Sequence, residues 1–223
     1  MIDKKESVFM EAAEIFAHVD HTLLKPCAIW DDVAKLCREA VEYGAASVCI
    51  APSMIADVRR KFPELTICTV IGFPLGYNTT AAKVFEVQDA IAAGADEVDM
   101  VINQGWVKEK AFAKVAGEIS RLKDAAGEHV LKVIVETCYL NEEEKLAIAD
   151  IFPATGADYL KTSTGFGSAG AQLADIRLFR AHLPASVKLK AAGGIRSRED
   201  MVAFLEEGAD RLGCSAGMCL FEK

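Results

Sequence analysis

The chain has 223 residues, 52% hydrophobic and 26% charged, which suits one large buried core and one barrel-sized domain better than two small ones. A net charge of −8 argues against nucleic acid as a main partner; no apolar run approaches the roughly 18 residues of a membrane span, and the polar start Met1–Glu6 is not a secretory leader. Seven cysteines, an odd number without a C-x-x-C pair, point to free thiols in a reducing, cytoplasmic compartment, most of them acting as small buried hydrophobes.

A helix is expected first, over Ser7–Phe16. One unit then recurs: a short run rich in Val, Ile and Cys, followed by an amphipathic stretch of helical period. The strand-like runs are His18–Leu24, Ala46–Ala51, Thr66–Ile71, Glu97–Ile102, Leu131–Glu136, Asp158–Thr162, Val187–Ala191 and Arg211–Cys214. Several are almost continuously apolar, as parallel strands covered by helices require. Helices are expected between them over Asp31–Tyr43, Ser53–Lys61, Thr79–Ala93, Lys108–Ala126, Asn141–Phe152, Ala171–His182 and Arg198–Glu207. Asn141 ahead of three glutamates and Ser197 ahead of Arg198-Glu199-Asp200 are helix-start signals, while Gly44, Gly94, Gly156 and Gly208, each followed by Ala, are stop signals. No Pro- or Ser-rich linker interrupts the series, so residues 1–223 are expected to form a single domain. Eight strand–helix units predict an α/β protein, a single (β/α)₈ TIM barrel with an extra N-terminal helix and a very short last helix. A doubly wound open sheet shares the local pattern.

In such a barrel the site lies at the C-terminal ends of the strands. Side chains alternate along a strand, so parity selects the interior set. Asp99 lies opposite in parity to Val98, Met100 and Ile102 and is expected to point inward. The same reasoning groups Asp20 with His18 and Thr22, Lys132 with Glu136, Tyr159 with Lys161, and Lys188 with Lys190. The expected interior therefore holds Lys132, Lys161, Lys188 and Lys190 against Asp20, Asp99 and Glu136. One buried Lys–Asp pair is ordinary structure; four lysines converging on one lumen are hard to explain as packing. Burial and like charge both lower a lysine pKa, and a fall from about 10.4 to about 7 raises the free-amine fraction roughly a thousandfold. A free amine is a nucleophile toward carbonyls, so the set points to imine chemistry.

Gly193-Gly194 follows the seventh strand, and Gly213-Cys214-Ser215-Ala216-Gly217 follows the eighth and opens the very short last helix. Loops at these two strands are the usual phosphate site of a barrel, although turn glycines alone are common. No metal is expected: His18 and Asp20 share a face, but His21 points away from it and no second histidine pair occurs on later strands.

At Glu97-Val98-Asp99-Met100-Val101-Ile102-Asn103, Leu160-Lys161-Thr162-Ser163-Thr164-Gly165-Phe166 and Lys190-Ala191-Ala192-Gly193-Gly194-Ile195-Arg196 the sequence resembles the signature strands of the deoxyribose-phosphate aldolase family. The likeness extends to His21–Pro26, Val48–Ile50, Ile71–Gly76 and Leu131–Thr137, in order over nearly the whole chain. The resemblance implies a class I aldolase, needing no cofactor, that reversibly cleaves 2-deoxyribose 5-phosphate to glyceraldehyde 3-phosphate and acetaldehyde. It implies Lys161 as the Schiff-base lysine, Lys190 as the second lysine that perturbs it, Asp99 as the proton donor and acceptor, and Asp20 as the acid that positions Lys190. It also implies substrate contacts at Cys49, Thr22 and Thr164, phosphate contacts at Gly193, Gly194 and Ser215, and a homo-oligomer, commonly a dimer.

Two positions depart from the pattern. Some members carry a phosphate-binding lysine where Phe166 stands, and some carry a C-terminal tail ending in a tyrosine, whereas this chain stops at Lys223. The alternatives are another phosphate-handling barrel, such as a transaldolase-like enzyme or a sugar-phosphate isomerase, and a non-enzymatic barrel whose lysines hold an anionic ligand.

Overall fold

Eight parallel strands close on themselves in sequence order, β1 (Val19–Leu23), β2 (Ser47–Ile50), β3 (Ile67–Ile71), β4 (Glu97–Val101), β5 (Val130–Ile134), β6 (Tyr159–Lys161), β7 (Lys188–Ala192) and β8 (Arg211–Cys214), with β8 returning to pair with β1. The closure rules out the open sheet. The computed structural model describes residues 10–215. Helices α1 (Ala12–Phe16), α2 (Trp30–Tyr43), α3 (Ile55–Lys61), α4 (Thr80–Ala93), α5 (Gln104–Lys108), α6 (Phe112–Ala126), α7 (Glu142–Ile151), α8 (Leu173–His182) and α9 (Arg198–Glu206) accompany the strands. The extra N-terminal helix is present as α1. The part of that expectation on residues 7–9 lies outside the described residues, as does the very short last helix.

The strands bury both faces, which is why they read as apolar runs. Val48, Ile50, Val98, Met100, Leu131, Val133, Leu160 and Leu189 face outward into the main core beneath the helices. The helix layer is tied to the barrel by a buried pair, Lys83 of α4 with Glu118 of α6 at 2.9 Å. Lys83 also donates to the carbonyl of Val101 at the end of β4.

The start signals act as expected. Asn141 and Ser197 each accept the N–H three residues on, and Glu144 and Asp200 return the bond to the cap backbone. Gly44 and Gly94 end α2 and α4 in the left-handed region at φ 70° and 110°, which a residue with a Cβ rarely adopts. The helix expected over Lys108–Ala126 begins only at Phe112, as α6, while Lys108 ends a separate helix, α5, that starts at Gln104. The Asn103 side chain caps α5 by accepting from Trp106 N–H, and Lys110 at φ 55° breaks the path before α6. The helix expected from Ala171 starts at Leu173, because Ala171 N–H is held by the carbonyls of Ala192 and Gly193.

The floor of the barrel repeats one device. Gly-Ala-Asp occurs at 94–96, 156–158 and 208–210, and each aspartate accepts a backbone N–H from the preceding strand at 2.8 Å: Asp96 from Ile67, Asp158 from Leu131, Asp210 from Leu189. Each also pairs with a cation on the helix before that strand, namely Arg59, Lys123 and Arg180. The corresponding residue before β2 is Ala46, which has no carboxylate and instead donates its N–H to the carbonyls of Phe16 and Val19. We expect Asp158→Ala to lower stability by about 1–2 kcal/mol, read from the urea midpoint, with turnover unchanged because the clamp lies at the opposite end from the site.

Candidate active site

Asp99 of β4 stands at the centre of the barrel interior. Its Oδ2 accepts from Lys161 Nζ of β6 at 2.7 Å and from Lys190 Nζ of β7 at 2.8 Å. Its Oδ1 accepts from Lys132 Nζ of β5 at 2.9 Å and from Cys68 Sγ of β3 at 3.2 Å. These four donors match the roughly four lone-pair positions of an ionised carboxylate. Asp20 of β1 forms the second anchor: it pairs with Lys190, accepts from Ser47 Oγ at 2.7 Å and meets Arg211 Nη1 at 2.6 Å. Lys132 also reaches Glu97 at 2.5 Å, and Arg211 lies 3.4 Å from the same carboxylate.

The register explains the convergence. Asp99 pairs with Lys132 across β4–β5, Lys161 with Lys190 across β6–β7, and Lys190 with Arg211 across β7–β8. Barrel closure then brings β1 and its Asp20 beside β8.

Asp20, Asp99, Lys132, Tyr159, Lys161 and Lys190 are buried inside the barrel, as their parity predicts, and two residues differ from that pattern. Lys188 is exposed at the start of β7; its ammonium stacks over the Tyr159 ring at 5.5 Å and does not join the inner charges. Glu136 is buried at the rim instead, past the end of β5. It sits at φ 51° and accepts from Thr164 N–H and Oγ, so it tethers the loop after β6. The places that parity gave to Lys188 and Glu136 are taken by Arg211 and Glu97.

Electrostatics follow from these contacts. Burial pushes the Asp99 carboxyl up, but the ammonium groups of Lys132, Lys161 and Lys190 outweigh it and hold the group well below the ordinary carboxylate range. Asp20 is likewise lowered against burial, by Lys190, Lys132 and Arg211. Lys190 and Lys132 move the other way: burial lowers them, and the facing carboxylates more than reverse it. Both therefore stay charged across the neutral range. The Cys49 thiol is lowered, chiefly by the neighbouring Cys68 thiol, whereas burial pushes Cys68 well up.

Above the charges opens a cleft of about 250 Å³ at the C-terminal ends of the strands. Thr22, Thr164, Gly193, Gly194 and Ser215 line it, and so does Lys161. Lys161 is 3% exposed, whereas Lys132 and Lys190 are 0% exposed and do not reach the wall. Cys49 is not on the wall; it is fully buried beneath it, on β2 opposite Cys68. Phe166 forms one lip of the cleft and packs edge-on against Phe73, with ring centroids 5.3 Å apart. Gly193 and Gly194 both have positive φ, 82° and 77°, and a Cβ at Gly170 would stand 2.1 Å from the Gly193 carbonyl. Successive amides in this conformation make an anion-binding concavity. Lys25 also lines the cleft, a residue inside the His21–Pro26 motif to which the sequence reading assigned no role.

Residues 7–220 match the model of the DeoC/LacD family aldolases. Over 214 residues the chain is 52% identical to a deoxyribose-phosphate aldolase of Clostridium botulinum (strain Alaska E43 / Type E3), covering 96% of this chain and 97% of that protein. Among solved structures it is similar to QR15, an aldolase, with a TM-score of 0.88 at 37% identity over 92% of each chain. It is also similar to the tetrameric deoxyribose phosphate aldolase of Aeropyrum pernix, with a TM-score of 0.84 at 31% identity over 95% of this chain and 91% of that one. Fold, motifs and relatives agree: the chain belongs to the DeoC/LacD family of aldolases.

Proposed function

We propose that this chain reversibly cleaves 2-deoxy-D-ribose 5-phosphate to D-glyceraldehyde 3-phosphate and acetaldehyde through a Schiff base on Lys161. The observation that carries the reading is the placement of Lys161. It is the interior amine that meets the cleft, and it does so with Asp99 2.7 Å away.

The roles follow from the contacts. The Lys161 amine adds to the aldehyde carbon of the open-chain sugar, and loss of water leaves an iminium ion. Removal of the C3 hydroxyl proton then drives cleavage of the C2–C3 bond. Glyceraldehyde 3-phosphate departs, and the bonding pair becomes the double bond of an enamine. Protonation of that enamine and addition of water release acetaldehyde and the amine. Asp99, held ionised, is the proton acceptor. Lys190, held charged and bonded to the same Oδ2, is the donor that returns the proton. Asp20 keeps Lys190 in place. Thr22 and Thr164 flank the sugar, and Cys49 lies behind the reacting carbon.

The phosphate is held by the amides of Gly193 and Gly194 and by Ser215, helped by the N-terminal end of α9. Lys25 supplies an exposed cation on the same wall, where Phe166 offers none. No cofactor enters this scheme. The account takes residues 1–223 as one aldolase barrel domain that works in the cytoplasm on small sugar phosphates and aldehydes. It takes the assembly as a homo-oligomer built on a dimer, with the tetrameric relative in support of an oligomer.

The test is a cleavage assay on 2-deoxyribose 5-phosphate with detection of acetaldehyde. Lys161→Leu should lose turnover at least about a thousandfold with its circular dichroism unchanged; ordinary turnover in that variant would refute the assignment. A second expectation concerns pH. Because the Lys190 pKa is raised, its charge is constant through the working range and produces no limb of its own. Lys190→Leu should lower kcat by about a hundredfold, as loss of an acid–base group does, without removing a basic limb from the kcat/KM profile, because a fixed charge supplies none. A basic limb present in the unsubstituted chain and absent from Lys190→Leu would contradict the fixed charge.

A further inference from the structure

Two thiols lie beside the reactive carboxylate, and no step above passes through either sulfur. Cys49 and Cys68 are register partners on β2 and β3, both fully buried and both directed into the barrel, where inward side chains converge. Their sulfur atoms and a carboxylate oxygen of Asp99 all lie within 4.8 Å of one another. Two sulfurs and one oxygen this close together supply three of the four ligands that a tetrahedral ion takes, and water can supply the fourth.

We propose that Cys49, Cys68 and Asp99 form a binding site for one soft dication, Zn²⁺ or Cd²⁺, and that its occupation silences Lys161. Thiolate ligands select such ions over Mg²⁺ or Ca²⁺, which prefer oxygen. The exchange also suits the charge of the interior. Two S–H bonds break, two metal–sulfur bonds form and two protons leave to solvent, so the dication replaces an equal charge. An ion bound by carboxylates alone would add two positive charges to a region already holding Lys132, Lys161, Lys190 and Arg211.

A second grouping, Asp20, Cys68 and Glu97, is equally close-set but is filled. The Lys132 ammonium stands in it, 2.5 Å from Glu97, 3.3 Å from Cys68 and 3.7 Å from Asp20. The same ammonium lies 2.9 Å from Asp99 Oδ1 and 3.3 Å from Cys68, so a metal joins the first grouping from its Cys49 side, and Lys161, bonded to Asp99 Oδ2, connects it to the cleft.

The effect on chemistry follows from the hydrogen bonds. Metal binding removes the Cys68 donor from Asp99 Oδ1 and draws the carboxylate toward the ion, away from Lys161 and Lys190. The inhibition rests on the aldolase reading above, whereas the binding does not, and the two are read separately.

The test titrates the fully reduced protein with Cd²⁺ and locates the ion by anomalous scattering in a Cd²⁺-soaked crystal of the unsubstituted chain. The expected result is an anomalous peak between the sulfurs of Cys49 and Cys68, a thiolate-to-cadmium absorption band that saturates at one equivalent, and turnover that falls with occupancy and returns with EDTA. Cys68→Ala should weaken Cd²⁺ binding by about tenfold or more, while Cys27→Ala, at an exposed cysteine, should leave it unchanged. An anomalous peak at other residues with none at the pair, or a band that survives Cys68→Ala, would overturn the site. Full turnover with the pair occupied would overturn the inhibition while leaving the site standing.

Discussion

A carboxylate with no exposed surface, surrounded by three ammonium groups and a thiol, is the constraint on which this barrel depends. Asp99 could not be buried alone, because an isolated ion in the interior costs several kcal/mol even after relaxation. It is tolerated because each of its oxygens accepts two donors. The same pairing fixes the lysines, which are almost never fully buried without partners. Removing either side would leave the other charge uncompensated, so the site and the stability of the barrel interior are one arrangement.

The interior has two levels. The lower level, Arg211 with Asp20 and Glu97, and Lys132 with Glu97, lies beneath the cleft and lines none of it. Arg211 also rests against the Tyr159 ring, 5.6 Å from its centroid. This level holds the upper one in position: Lys132 steadies one oxygen of Asp99, and Asp20 steadies Lys190. The upper level ends in Lys161, where the cleft begins. A charge-rich base beneath a single accessible amine gives that amine fixed neighbours while water is kept from all but its tip, which strengthens each electrostatic contact around it.

Most of this was legible from the residues, because parallel strands give strong local signals. Apolar runs, Gly-Ala stops and the caps at Asn141 and Ser197 located all eight strands and most helix boundaries. Parity placed Asp99, Lys161 and Lys190 together. Parity says nothing about height along the barrel axis, and the errors arose there. Lys188 and Lys190 share a face, yet Lys188 lies one pleat lower and reaches solvent at the floor. Glu97 stands in the same relation to Asp99 and could have been found by the same reasoning. Arg211 needed the closing register of β8 with β7 and β1, which no local pattern contains. Cys68 pairs with Cys49 for the same kind of reason, since it is known only once β2 and β3 are aligned. The split of α5 from α6 turned on one residue, Lys110, in a left-handed conformation that its type does not announce.

The central claim is that one amine among several buried ones does the chemistry, because it alone among the described interior lysines meets the cleft. The most direct measurement is to incubate the protein with acetaldehyde, reduce with borohydride and map the adduct by peptide mass spectrometry. The account predicts a single ethyl group on Lys161. An adduct on Lys190 or Lys132, or no adduct in protein that is folded and reduced, would contradict it.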